Sequence, residues 1–297
     1  MFVNHTNIYM ELGKNIGLQI RMTIVMLLLA LLTIGFGAII GLYFQNLIFT
    51  VIFVSLMSIG QFLYSHKIAL KSFGATVVEE DEYPELHRMV TRLSQQANMQ
   101  KPEIAVAETS ITNAFATGRS TSTATVCVTT RLIEVLNEEE LEAVLAHELA
   151  HIKNKDMIVM TAAGVIAAIT SMVIRYGVYF GGGRNNNNAP VIVAIFIAIL
   201  TYIGSYLLMM ALSRYREYSA DRGAVSITGN PMALASALKT ISKSMDSVPK
   251  EDLRNAQGVN ALMISPVKNK FSGLLRTHPS TDKRINKLQQ MTKEMEQ

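Results

Sequence analysis

Between Arg21 and His66 the chain runs for 44 residues without a charged side chain. A helix needs about 20 apolar residues to cross the hydrocarbon core of a bilayer, so this run accommodates two spans, at 22–43 and 45–65. Asp156 and Arg175 bracket 18 more uncharged residues, and Arg184 and Arg214 bracket 29, which places spans at 157–176 and 190–212. For 157–212 a buried core hairpin is the soluble alternative, because its first arm is short and contains Gly164. A cleaved signal peptide fits the N-terminus less well. The apolar part exceeds a roughly 7–15-residue h-region and runs on into a second span. These runs account for a charged fraction of 17%, where roughly 25% is usual in soluble proteins.

Basic residues flanking the spans set their orientation. Lys14 and Arg21 precede the first span, and Lys67 and Lys71 follow the second. Lys153 and Lys155 precede the third, and Arg214, Arg216 and Arg222 follow the fourth. The opposite loops carry only Arg184, with Arg175 at the membrane edge. Both termini and all polar segments are therefore expected in the cytoplasm, on a multi-pass protein of the cell membrane. The lone Cys127 agrees, since one thiol makes no internal disulfide, and it reads as a small core residue. Juxtamembrane lysines and arginines explain the net charge of +4, and no nucleic-acid motif is present.

The expected organisation is an N-terminal cytoplasmic segment (1–21), a membrane hairpin (22–65), a first soluble part (66–156), a second hairpin (157–212) and a second soluble part (213–297). In the first soluble part, Leu86, Met89, Val90 and Leu93 follow helical spacing after Pro84. "PEIAVAE" and "TATVCVTT" read as short strands around the turn-rich "SITNAFATGRSTS". "NEEELEAVLAHELAHIKN" opens with Asn137 as N-cap and Glu140 three residues on, a capping box. Later, Asn230 and Pro231 start another helix, helix continues through "SRYREYSADRGAVSI", and a charged helix ends the chain. The run of asparagines reads as a flexible loop.

His147 and His151 lie four apart on the capped helix, so their imidazoles share one face. Zinc accepts such nitrogens at about 2.0–2.1 Å, and Glu148 beside the first histidine is placed to take a proton from water. This is the physical content of H-E-x-x-H. A catalytic zinc wants a third protein ligand. Between residues 156 and 246 the acids are Glu217 and Asp221, four apart. Two membrane crossings return the chain to the side of His151, which makes Glu217 the third ligand. Asp221, one turn on, is expected to accept a hydrogen bond from a ligand histidine. Taken alone, the two acids would read equally as partners of Arg214, Arg216 or Arg222.

"HELAHIKNKD" and "EYSAD" resemble the two signature segments of HtpX-type membrane zinc metalloproteases, relatives of the CaaX prenyl proteases. "NAFATG" (113–118) and "THPSTDKRI" (277–285) are similar to two further family segments, in the same order. Ser280 stands where the family usually has a second proline, and "ALMISPVKNKFSG" also departs from its pattern. The resemblance implies a mainly α integral membrane protein with four transmembrane helices and a cytoplasmic gluzincin-like α+β protease domain. It implies one zinc ion held by His147, His151 and Glu217, with Glu148 as catalytic acid/base. The strand near Asn113 would line the substrate groove, and His278 and Arg284 would approach the reacting carbonyl. The implied reaction is hydrolysis of peptide bonds in misfolded or damaged membrane proteins. A prenyl-peptide protease stays open as an alternative, as do a transporter and a non-catalytic scaffold.

Overall fold

The computed structural model describes residues 16–44, 47–156, 189–248, 263–264 and 278–296. The expectations for residues 1–15, the third span, the asparagine run and most of the irregular patch before His278 lie outside the described residues. Helices α1 (Ile16–Phe44) and α2 (Leu47–Ser72) fall on the long charge-free run. At 1.5 Å per residue they are about 43 and 39 Å long, more than the roughly 30 Å of a hydrocarbon core. Ile24, Leu27 and Leu31 of α1 and Ile52, Leu56 and Ile59 of α2 are exposed. Side chains of this kind belong in contact with lipid or with another apolar surface. The fourth expected span lies within α6 (Ala189–Thr228), a continuous helix that runs on past Glu217 and Asp221. Its Phe196, Leu200 and Ile203 are exposed too, so this arm is not the buried core element of the soluble alternative. Among the described residues, Phe196–Thr228 is long and apolar enough to cross a membrane, and Ile20–Leu32 is a shorter apolar stretch. Val25 and Leu29 of α1 pack against Leu212 of α6.

The remaining described elements surround a four-stranded sheet in the order β1 (Ala75–Val77), β2 (Glu103–Ala107), β4 (Thr125–Thr129), β3 (Ala114–Thr117). β2 and β4 run parallel with Ala105 opposite Cys127. Their buried residues read as near-continuous apolar runs, as central strands covered on both faces do. β3 lies inside the segment that the sequence marks as turns. Its four residues have little strand pattern of their own and are ordered by antiparallel pairing, with Phe115 opposite Cys127. Gly118 ends β3 at φ +147, where a Cβ would stand 2.7 Å from Ala124 Cα.

Helix α3 (Pro84–Gln96) covers the sheet, and the short α4 (Thr130–Val135) follows β4 directly. Helix α5 (Glu138–Lys153) starts with the reciprocal capping box, Asn137 Oδ1 accepting from Glu140 N and Glu140 accepting from Asn137 N. Asn230 caps α7 (Pro231–Met245). Ser280, in place of the family's proline, caps α8 (Thr281–Met295) by accepting from Lys283 N. α5 is buried almost all round from Leu141 to Ile152, as befits a helix at the centre of a core. One apolar cluster joins Val126, Leu145 and Leu149 from before the gap at 157–188 to Leu234, Leu238 and Leu288 after it.

Candidate metal centre

The α5 spacing brings the His147 and His151 rings together edge to face, with interplanar angle 86° and Nε2 to Nε2 at 3.1 Å. α6 packs along α5 and delivers Glu217, whose carboxylate lies 3.6 Å from His147 Nε2 and 3.5 Å from His151 Nε2. Close approach of the two helices depends on Gly223, where a Cβ would meet the Ala150 Cβ at 2.5 Å. All three groups are buried and can offer their donor atoms to one metal ion. Ligands about 2.0–2.1 Å from a tetrahedral zinc stand roughly 3.3 Å apart. The Nε2–Nε2 separation and the approach of one Glu217 oxygen to each imidazole match that spacing, and two imidazoles with one carboxylate suit zinc. Glu217 Oε2 is buried without an aligned hydrogen bond among the described residues and is paired by charge with Arg284 Nη1 at 3.0 Å.

Residues 80–292 match peptidase family M48. The chain belongs to that family. It is 46% identical to "Protease HtpX homolog 2" of Methanosarcina mazei, covering 95% of this chain and 98% of the relative. It is 43% identical to "Protease HtpX homolog" of Moorella thermoacetica, covering 97% and 98%. The fold is also similar to the crystal structure of S. mikatae Ste24p, with a TM-score of 0.53 and 19% identity over 92% of this chain and 67% of that one. The protein is thus an HtpX-type M48 metalloprotease. Family M48 is zinc-dependent in general.

Around the donor cluster of this M48 chain, each histidine has a carboxylate at its outer nitrogen. His151 Nδ1 and Asp156 Oδ2 are 2.7 Å apart, and Arg216 Nε lies 3.4 Å from Asp156 Oδ1. His147 Nδ1 lies 3.1 Å from Asp221 Oδ1, close enough to pair by charge but without hydrogen-bond alignment. Burial pulls the His151 imidazole down, and the carboxylates of Asp156 and Glu217 outweigh it, raising it to about 10. His147 is raised for the same reason, with Asp221 and Glu217 overcoming burial.

Arg284, fully buried on α8, donates to Asp221 through Nε at 3.0 Å and Nη2 at 2.6 Å. Its Nη1 reaches Ile264 O at 3.2 Å and Glu217 Oε2 at 3.0 Å. Asn113 sits just before β3, and its Oδ1 accepts from Ile264 N at 2.9 Å. A chain of contacts thus links the sheet edge to the carboxylates through Ile264 and Arg284. His278 differs from Arg284. Its Nδ1 lies 3.4 Å from Glu217 Oε1, but both buried ring nitrogens lack hydrogen-bond partners among the described residues. Glu148 is buried beside His147. Burial disfavours the charged Arg284 guanidinium, and the charges of Asp221 and Glu217, with a smaller contribution from Glu148, outweigh it and keep Arg284 protonated. Cys127 stays a core thiol, pushed up to about 12 chiefly by burial.

Sequence reasoning did not single out Asp156. It lies five residues beyond His151, past the end of α5, where Lys155 at φ 58 turns the chain back. Its sequence signal is slight: one acid between two lysines and the start of an apolar run.

Proposed function

We propose that His147, His151 and Glu217 hold one zinc ion per chain and that Glu148 is the catalytic acid/base of peptide-bond hydrolysis at the membrane surface. The observation that carries this reading is the buried cluster of donor atoms, with the two Nε2 atoms 3.1 Å apart and one Glu217 oxygen near each, Oε2 3.6 Å from His147 and Oε1 3.5 Å from His151. When bound there, zinc supplies Lewis-acid polarisation of the scissile carbonyl and acidifies the attacking water. Glu148 takes the proton of that water and returns it to the leaving amine. Asp156 and Asp221 hold the histidine rings so that both Nε2 atoms face inward. Arg284, with its donors engaged by Asp221, Ile264 and Glu217, positions the two carboxylates. His278, whose ring nitrogens have no hydrogen-bond partner among the described residues, donates to the carbonyl oxygen as it gains charge.

The outer edge of β3 suits an extended substrate, which would pair with it by main-chain hydrogen bonds and so be recognised with little regard to side chains. The exposed apolar faces of α1, α2 and α6 support a multi-pass arrangement; four spans are proposed from the uncharged runs, and a cytoplasmic protease domain from the basic residues that flank them. That arrangement favours substrates that are themselves in or beside the bilayer, including misfolded or damaged membrane proteins.

Zinc content and cleavage of an unfolded membrane-protein substrate, measured on the same preparations, test the assignment. Glu148→Gln should keep its zinc and lose roughly 100-fold or more in rate, whereas Glu217→Ala should lose both. Cleavage by the glutamine variant at the parental rate would show that the base lies elsewhere.

A further inference from the structure

At the N-terminal end of α1 a cavity of about 300 Å³ opens among cations from three helices: Arg21 of α1, Arg222 of α6 and Lys287 of α8. Lys287 Nζ stands 3.4 Å above the Tyr218 ring, a cation–π contact that forms one wall. Gln290 and Glu294 complete the lining, and Gln290 Nε2 donates to Glu294 Oε1 at 3.0 Å. Among the described lining residues, Arg21, Arg222 and Lys287 carry positive charge and Glu294 carries negative charge. The Lys287 ammonium is pulled down by burial and then by Arg222, which reports how closely the charges are crowded. The exposed apolar face of α1, with Ile20, Ile24, Leu27 and Leu31, begins at the rim beside Arg21. With that face in lipid, the pocket lies at the level of the headgroup phosphates, where basic residues bind anionic lipids.

We propose that this pocket binds a phosphate-bearing anion, supplied by the headgroup of an anionic lipid in the cytoplasmic leaflet. The lipid source rests on the membrane reading given above, whereas the anion site itself does not. An occupant would tie α8 to α1 and α6. Tyr218 and Arg222 are the chain neighbours of Glu217 and Asp221, and Lys287 follows Arg284 by three residues. Lys287 lies one turn beyond Arg284 on the same face of α8, so the pocket adjoins the part of the helix that carries Arg284.

The test uses the full-length protein in discs of phosphatidylcholine with or without phosphatidylglycerol, and in detergent with inorganic phosphate. Lipid retention in native mass spectrometry and melting temperature are read. Phosphatidylglycerol should be retained preferentially, and Arg21→Gln with Lys287→Gln should cut that preference roughly fivefold per charge removed, about twenty-five-fold together. Arg21→Lys with Lys287→Arg should keep it, as should Lys67→Gln with Lys71→Gln, which removes juxtamembrane charge away from the pocket. An equal loss from the Lys67/Lys71 pair would mean diffuse surface charge and overturn the pocket. So would an unchanged response of the Arg21/Lys287 pair to both lipid and phosphate. Stabilisation by phosphate in detergent, abolished by that pair but without lipid preference, would keep the pocket and overturn the lipid source. Failure to enter phosphatidylcholine discs at all would overturn the membrane reading and the lipid source with it, leaving the phosphate arm to decide the pocket.

Discussion

Asp156 Oδ2 lies 2.7 Å from His151 Nδ1, and both side chains are buried. A carboxylate at the outer nitrogen fixes the ring's tautomer and its aim, and makes the inner nitrogen a better donor. Asp156→Asn keeps the volume and removes the charge. It should lower zinc affinity about 10–100-fold, read by competition with a chelator at neutral pH. Unaltered zinc retention would mean that Asp156 serves only the pairing with Arg216.

Metal binding should strengthen as pH rises. Without metal, His151 is raised to about 10 by Asp156 and Glu217 against the pull of burial, so at neutral pH zinc must displace its proton. The apparent affinity should rise about tenfold per pH unit for each proton displaced, until pH passes the folded value. The metal-free protein should behave in the opposite sense. A raised pKa contributes stability that is complete below the unfolded value near 6.5 and is lost as pH climbs through about 10. Chelator competition and melting curves across a pH series check the two signs together.

Gly223 should be intolerant of a side chain for a reason that a second change can remove. Gly223→Ala puts a Cβ 2.5 Å from the Ala150 Cβ, while the Ala150 Cα is 3.7 Å away. The single variant should be destabilised by about 1–3 kcal/mol, as overpacked cores are, with weaker zinc retention because α6 carries Glu217. Adding Ala150→Gly should restore most of the zinc retention. No rescue in the double variant would place the cost elsewhere.

Arg284→Leu should unfold the protein or cost about 3–5 kcal/mol, because it strands Asp221 and Glu217 as buried charges. Arg284→Lys keeps the charge but cannot reproduce the forked contact with Asp221. It should fold with reduced zinc affinity, so the ratio of zinc retention to melting temperature separates positioning from bulk stability. His278→Ala should instead leave zinc content near parental and lower the turnover rate, with little change in substrate affinity.

The pieces legible in the sequence are those governed by local rules. The H-E-x-x-H face follows from 3.6 residues per turn, and the Asn137–Glu140 capping box is written in four consecutive residues. The uncharged runs at 22–65 and 190–212 mark helices by length and composition alone, and Glu217 and Asp221 stand out because few acids compete with them in their region. The resemblance implied a strand near Asn113, but no local pattern shows β3, because its four residues become a strand only by pairing with β4. Asp156 was hidden because its return to His151 depends on a left-handed Lys155, which no periodicity announces.

By itself, the sequence determined where the long apolar helices α1, α2 and α6 and the capped helices α5 and α7 form, and which donor types lie one turn apart, because these depend on neighbours a few residues away. Only the tertiary structure decided that α6 meets α5 at Gly223 closely enough to set Glu217 about 3.5 Å from two imidazoles. It also engaged Arg284 with the carboxylates and set His278 Nδ1 3.4 Å from Glu217 Oε1. Those outcomes depend on distances between segments far apart in the chain, fixed by packing and charge pairing rather than by any local pattern.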